Sequence, residues 1–176
     1  TDLKHLISDN KTFLYVDVGG GSTEFTVFSN GKSIISKSFQ LGTVRIINDM
    51  IRDTIWDEVK EWVTASTKEY SKVDLIGSGG NINSIYRFSE KKVGKPLSYF
   101  FLANFYDRIR DLTYHERIFE LQMNPDRADV IVPATRIYLS AMKWSKAKNI
   151  YVPKIGLADG IIKSLYNEAI AKRTIV

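Results

Sequence analysis

Between Phe13 and Phe28 the chain reads as strand, glycine loop, strand, and no other segment restricts the fold as much. Phe13-Leu14-Tyr15-Val16-Asp17-Val18 is apolar at both parities except at Asp17, the pattern of a central strand covered on both faces. Gly19-Gly20-Gly21-Ser22-Thr23 interrupts it, and Glu24-Phe25-Thr26-Val27-Phe28 resumes β-branched and aromatic character. The two runs predict a hairpin across a glycine loop. Ser29-Asn30-Gly31 carries the Asn-Gly turn signature, and a looser alternation follows from Lys32 to Leu41. Three consecutive antiparallel strands are therefore expected.

Beyond Gly42 the period changes. Ile47, Met50, Ile51, Ile55, Val59, Trp62 and Val63 recur at helical spacing, which predicts one amphipathic helix of about six turns from Thr43. Val73 to Gly77 reads as a short strand, Ser78-Gly79-Gly80 as a turn, and Asn81 as the start or cap of a helix. Lys91 to Pro96 is a polar loop, and Tyr99 to Leu102 a short apolar segment. Helices are expected at Asn104–Leu112 and Thr113–Met123, the second opened by a capping box of Thr113 and Glu116. A longer one is expected from Arg127 to Trp144, with Pro133 marking a kink or an early start. Asn149 to Pro153 reads as a strand and Gly156 to Ala171 as a closing helix. With no repeat and no linker, residues 1–176 form one α/β domain.

Composition excludes several classes of function. At 176 residues with 44% hydrophobic and 26% charged residues, the chain is long enough to close a core without metals or bridges. No apolar stretch approaches the roughly 20 residues that cross a bilayer, and no signal segment opens the chain. The absence of cysteine removes disulfides, thiolate metal sites and a cysteine nucleophile, and it favours an intracellular compartment. His5 and His115 cannot make a histidine-rich metal centre. A net charge of +5 suits an anionic partner. Lysines and arginines are scattered, with Lys91-Lys92 and Lys143 to Lys148 as modest clusters that read as solvated faces, so specific nucleic-acid binding is not expected. The chain opens at Thr1 without methionine, which suggests processing or a piece of something longer.

The glycine loop carries the chemistry. A dinucleotide fold needs its glycines between strand and helix, and a P-loop ends in Gly-Lys-Ser/Thr; neither holds for a loop that runs from strand to strand. It reads instead as a phosphate nest whose backbone amides face inward, with three glycines free to take positive φ and to approach an oxyanion. Ser22 and Thr23 add hydroxyl donors. Asp17, a carboxylate at the end of a covered strand, needs a cation or donors, and Mg²⁺ bridging it to a phosphate would serve. Glu24 stands where it could orient or deprotonate a water for in-line attack on phosphorus. A tight hairpin in which Asp17 only caps loop amides accounts for the same residues. The turn Gly77-Ser78-Gly79-Gly80-Asn81 leads into a helix whose N-terminus could take an anion, or is an ordinary strand-to-helix turn. Gly156-Leu157-Ala158-Asp159-Gly160 is a third such turn, in which Asp159 could simply complement a helix dipole.

Together the three turns resemble the C-terminal half of the Ppx/GppA family of exopolyphosphatases and guanosine pentaphosphate phosphohydrolases, within the sugar kinase, Hsp70 and actin superfamily. Asp17 to Glu24 looks like that family's second phosphate motif, and Leu41-Gly42-Thr43-Val44-Arg45-Ile46 resembles the segment after it. Gly77 to Asn81 is similar to the superfamily's nucleotide-side turn. Arg127-Ala128-Asp129-Val130-Ile131 with Gly156 to Gly160 looks like the family's C-terminal signature. The resemblance implies a ribonuclease-H-like (actin-like ATPase) domain: an α/β fold whose mixed sheet has three antiparallel N-terminal strands and flanking helices. It implies a cytoplasmic hydrolase that releases terminal phosphate from polyphosphate or pppGpp with Mg²⁺. Asp17 would hold the metal; Gly19, Gly20, Gly21, Ser22 and Thr23 would bind phosphate; Glu24 would assist the water. Gly79, Gly80, Asn81 and Arg127 would line the nucleotide or substrate side, although an arginine near a helix start is more often a surface ion pair. Family enzymes place the site between two such domains, so residues 1–176 would be the second half of a two-domain phosphatase, its partner an N-terminal domain lying before Thr1. On that expectation the chain alone binds phosphate weakly and hydrolyses little. The assembly, a homodimer included, stays open. A non-catalytic nucleotide or polyphosphate binding module and a phosphotransferase of the kinase branch are the alternatives.

Overall fold

A computed structural model of the chain describes residues 10–153. In it the three-stranded start folds as the sequence predicts. β1 (Thr12–Val18), β2 (Thr23–Ser29) and β3 (Lys32–Phe39) are antiparallel neighbours. Asn30 and Gly31 take φ of 50° and 73° between β2 and β3, the two left-handed residues of a type I′ hairpin turn. β3 is an edge strand with an exposed outer surface, and Lys32 and Lys37 along it discourage pairing with a further strand.

β4 (Val73–Ser78), β5 (Leu97–Ser98) and β6 (Asn149–Tyr151) complete a six-stranded mixed sheet in the order β3-β2-β1-β4-β6-β5. β1, β4 and β6 run parallel, so their C-terminal ends share one edge of the sheet. One face carries Leu14, Val16, Val18, Phe25, Val27 and Leu75 into the main core. The other buries Phe13, Tyr15, Phe28 and Ile76. Cover on both faces is why β1 reads as nearly continuous apolar sequence.

The helices depart from the sequence reading at their breaks. The six-turn helix expected from Thr43 is two: α1 (Thr43–Ile47) and α2 (Ile55–Thr67). α1 stops in a Schellman arrangement, with Asp49 at φ 54°, its amide donating to Ile46 O at 3.2 Å and the Met50 amide to Arg45 O at 2.8 Å. Asn48 also donates to Val44 O at 2.8 Å. An Asn-Asp pair tolerates the left-handed step that a helix of apolar periodicity would have to cross. α3 (Gly80–Arg87) follows β4. The Tyr99–Leu102 segment and the helix expected after it are one element, α4 (Tyr99–Arg110), because the Ser98 hydroxyl caps it by accepting from Phe101 N at 3.1 Å. α5 (Tyr114–Phe119) opens with both bonds of the expected capping box and is shorter than expected. The expected Arg127 helix splits into α6 (Pro125–Ala128) and α7 (Ile131–Ser145). Pro133 lies in the first turn of α7, where its missing N–H has no helical partner to lose. α7 is the central helix, packed against β1, β4, α2, α3 and α4. Among the described residues no helix is long and apolar enough to cross a membrane. The expected helix from Gly156 lies outside them.

Candidate functional site

The glycine loop between β1 and β2 is held from one side. Its ends are drawn together where Gly19 N donates to Ser22 O at 2.9 Å. Thr43 N donates to Gly19 O at 3.0 Å, Val44 N to Gly20 O at 3.0 Å, and the Arg45 side chain Nε to Gly21 O at 2.8 Å. Three successive carbonyls thus point at the start of α1. The amides of Gly20, Gly21 and Ser22 have no hydrogen-bond partner among the described residues. A run of amides without partners, in a turn whose carbonyls face the other way, is an arrangement that could receive an anion.

The reason for the glycines differs from the expectation. None of the three has positive φ. A Cβ on Gly19 would lie 3.1 Å from Ser22 O, and one on Gly20 3.1 Å from the Val44 side chain, while Gly21 faces open space. Close packing, not left-handed backbone, selects the first two. Gly42 is the tightest position: a Cβ there would sit 2.2 Å from Gly20 O. Thr23 also departs from its expected role, since its side chain is buried and its hydroxyl donates to Leu41 O. That hydroxyl anchors the loop to the end of β3 and is not offered to a ligand. The Ser22 hydroxyl is half-exposed beside the free amides.

The pairing of strands sets the carboxylates. Asp17 is opposite Glu24 in the antiparallel register and opposite Ser78 in the parallel one. Glu24, Asp17 and Ser78 therefore form a row on one face of the sheet, with neighbouring Cβ atoms roughly 5 Å apart. Asp17 is half-buried and Glu24 exposed. Two carboxylates side by side repel unless a cation or donors stand between them.

The β4–α3 turn closes on the same place. Gly79 takes φ 95°, and a Cβ on it would lie 3.0 Å from Asp17 Oδ1. Asn81 is not the helix cap: α3 begins at Gly80, and the buried Asn81 side chain donates to Val18 O at 3.2 Å, tying the second turn to the end of β1. Its Oδ1 accepts from Arg127 Nη1 at 3.4 Å. The guanidinium lies over Gly80, where a Cβ would meet it at 2.7 to 2.9 Å. Arg127 also pairs with Asp126 at 3.5 Å, its side chain 35% exposed. The ion pair anticipated for such an arginine is present, and so is the contact with the turn.

Tyr138 has no sequence signal beyond its place on an apolar helical face, yet it braces the site. Its hydroxyl, fully buried, donates to Ser78 O at 2.8 Å. Burial first, and the charge of Asp17 second, push that phenol well above its ordinary range. It therefore stays a neutral donor. A cavity of about 210 Å³ opens beside the turn between Ser84, Arg87, Phe88, Gln122, Asn124 and Arg127. Gly156 to Gly160 lie outside the described residues.

Among the described residues no group of three or more acidic, His or Cys side chains could cage a metal. The Asp17–Glu24 pair nevertheless fits Mg²⁺, which is held by one or two carboxylates with phosphate oxygens and waters filling the remaining positions.

Comparison with known proteins bears on the fold and the family. The chain is similar to a Ppx/GppA phosphatase of Aquifex aeolicus solved as a type II variant, at TM-score 0.68 and 22% identity over 92% of this chain and 59% of that one. An exopolyphosphatase of Cytophaga hutchinsonii superimposes at TM-score 0.71 and 19% identity over 93% of this chain and 59% of the other. The chain thus spans less than two thirds of the solved proteins it resembles. No curated protein sequence matches it significantly. The fold is the expected actin-like ATPase type, a mixed α/β sheet flanked by helices. The profile of the Ppx/GppA phosphatase family matches residues 3–169, and the chain belongs to that family.

Proposed function

We propose that this chain is the phosphate-gripping part of a Mg²⁺-dependent hydrolase that releases the terminal phosphate of inorganic polyphosphate or of pppGpp. The observation that carries the reading is the glycine loop itself, whose carbonyls are spent on α1 while the amides of Gly20, Gly21 and Ser22, beside the Asp17–Glu24 pair, have no partner among the described residues. Those amides and the Ser22 hydroxyl hold the terminal phosphate oxygens. Asp17, kept in place by the Gly79 turn, holds the metal side. Mg²⁺, when bound, neutralises phosphate charge and orients the phosphoanhydride. Glu24, exposed and one strand away, orients the attacking water and takes its proton. Arg127, poised over Gly80, offers its guanidinium to inner phosphates, and the adjoining cavity receives the rest of the substrate.

The site so built is one wall of a cleft, and we place the other wall on a second domain of the same fold. This fits a chain that spans about 59% of its solved relatives. Phosphate release from polyphosphate and pppGpp, followed with Mg²⁺ alongside calorimetric binding of tripolyphosphate, tests both parts. Binding without turnover is expected of the chain alone. Turnover lost in Asp17→Asn and Glu24→Gln would show that one wall suffices. Failure to bind, in chain that remains folded, would overturn the phosphate reading altogether.

A further inference from the structure

At the far end of the sheet lies a larger cavity than the one beside the glycine turns. It has a volume of about 590 Å³ and is bounded by the last turn of α2 and the loop after it, the end of α7, and the first residues of β4 and β6. β4 runs from this cavity at Val73 to the site at Ser78, so the two are separated by roughly 17 Å of strand. Lys68, Lys72, Lys146 and Lys148 stand around it. All four are exposed, and none makes an ion pair among the described residues.

Lysines at helix ends ordinarily complement the helix dipole. That accounts for Lys68 and Lys146, the residues that close α2 and α7, but Lys72 and Lys148 lie outside any helix. Lys146 moreover sits at φ 58°, a left-handed C-cap where glycine or asparagine costs less. The walls add Trp144, Tyr70 and the hydroxyls of Thr64 and Ser71. The one lining carboxylate among the described residues, Asp74, is buried and held by Asn149 Nδ2 at 3.3 Å. Four ammonium groups with no ion pair among the described residues, around a concave, partly aromatic wall, attract an anion with several charges.

We infer that this cavity is a second binding site, for a chain of phosphates, carried either by an inorganic oligophosphate or by a nucleoside polyphosphate. It is separate from the glycine-loop site and stands whether or not that site is catalytic. Lysine-selective acetylation read by mass spectrometry tests it on the unaltered chain, because the glycine-loop site contains no lysine. With tripolyphosphate or GTP at physiological ionic strength, Lys68, Lys72, Lys146 and Lys148 should be modified roughly tenfold more slowly, as charge-assisted hydrogen bonds to phosphate imply. Lys60 and Lys92 should not change. Protection by both ligands identifies the phosphate chain as the recognised part; protection by GTP alone assigns the site to a nucleotide whose base rests on Trp144 or Tyr70. Equal rates at all six lysines with either ligand would overturn the proposal. Lys72→Gln with Lys148→Gln, both surface changes, should also weaken the calorimetric binding assigned to this site by roughly tenfold. Unchanged binding in the folded double variant would sink it.

Discussion

The two glycine turns that meet at the candidate site are built by opposite means. The β1–β2 loop keeps ordinary backbone angles and is shaped from outside, by amides of α1 and by the Arg45 side chain. The β4–α3 turn is shaped from within, by the φ of 95° at Gly79, and is tied to its neighbour through Asn81. The first turn therefore depends on residues some twenty positions downstream, and the second mostly on itself. The carbonyls of the first are occupied by α1 and Arg45, and its amides have no partner among the described residues, which is a tertiary effect.

Substitutions can break this contrast, and the largest effect should come from a residue outside both turns. Gly42→Ala drives a methyl group into the Gly20 backbone, and a loss of about 3 kcal/mol is expected. Urea denaturation measures it, and tripolyphosphate binding should weaken in whatever fraction stays folded. Gly79→Ala combines positive φ with a 3.0 Å approach to Asp17 Oδ1 and should cost about 2 kcal/mol. A smaller loss at Gly42 than at Gly79 would mean that the first turn does not lean on α1. Tyr138→Phe leaves Ser78 O without its buried donor and should lower stability by about 1.5 kcal/mol, visible as a lower Tm.

Gly80→Ala sharpens the comparison differently. The atoms in its way are the tip of the flexible Arg127 side chain, and alanine is the better helix former, so stability should stay within about 1 kcal/mol of the parent. Anion affinity should fall nonetheless, because the guanidinium must leave the turn; calorimetry with tripolyphosphate would detect it. The smallest effect belongs to a region remote from both turns. Hydrogen bonds from the Thr113 backbone amide and side chain hold the Glu116 carboxyl below its ordinary range. The folded pKa is depressed, so the stabilisation is present above the ordinary carboxyl pKa of 4.5 and is lost as pH falls through the folded value. Circular dichroism below pH ~4 should show α5 fraying first in Thr113→Ala, whose cap is already broken.

Local signals that depend on neighbouring residues were legible. Asn30-Gly31 specifies a type I′ turn, Thr113 and Glu116 specify a helix start, and the unbroken apolar run of β1 specifies a buried strand. Helix breaks were less so, since apolar spacing continues from Ile47 through Met50 and Ile51 to Ile55 while Asn48 and Asp49 quietly end α1. At the site, Asp17, Glu24 and the glycines stand out as residue types. Thr23 looks like a donor to a ligand until burial commits its hydroxyl to Leu41.

By itself, then, the sequence determined the three antiparallel strands, the two glycine turns and the carboxylates that flank the first, because turn chemistry and strand periodicity act over a few residues. Only the tertiary structure decided that Asp17 and Glu24 share a row with Ser78, that Arg127 lies over Gly80, and that Tyr138 donates beneath the site. Those contacts join residues far apart in the chain, 60 positions for Tyr138 and Ser78, or depend on strand register, and register and packing are settled by the whole core at once.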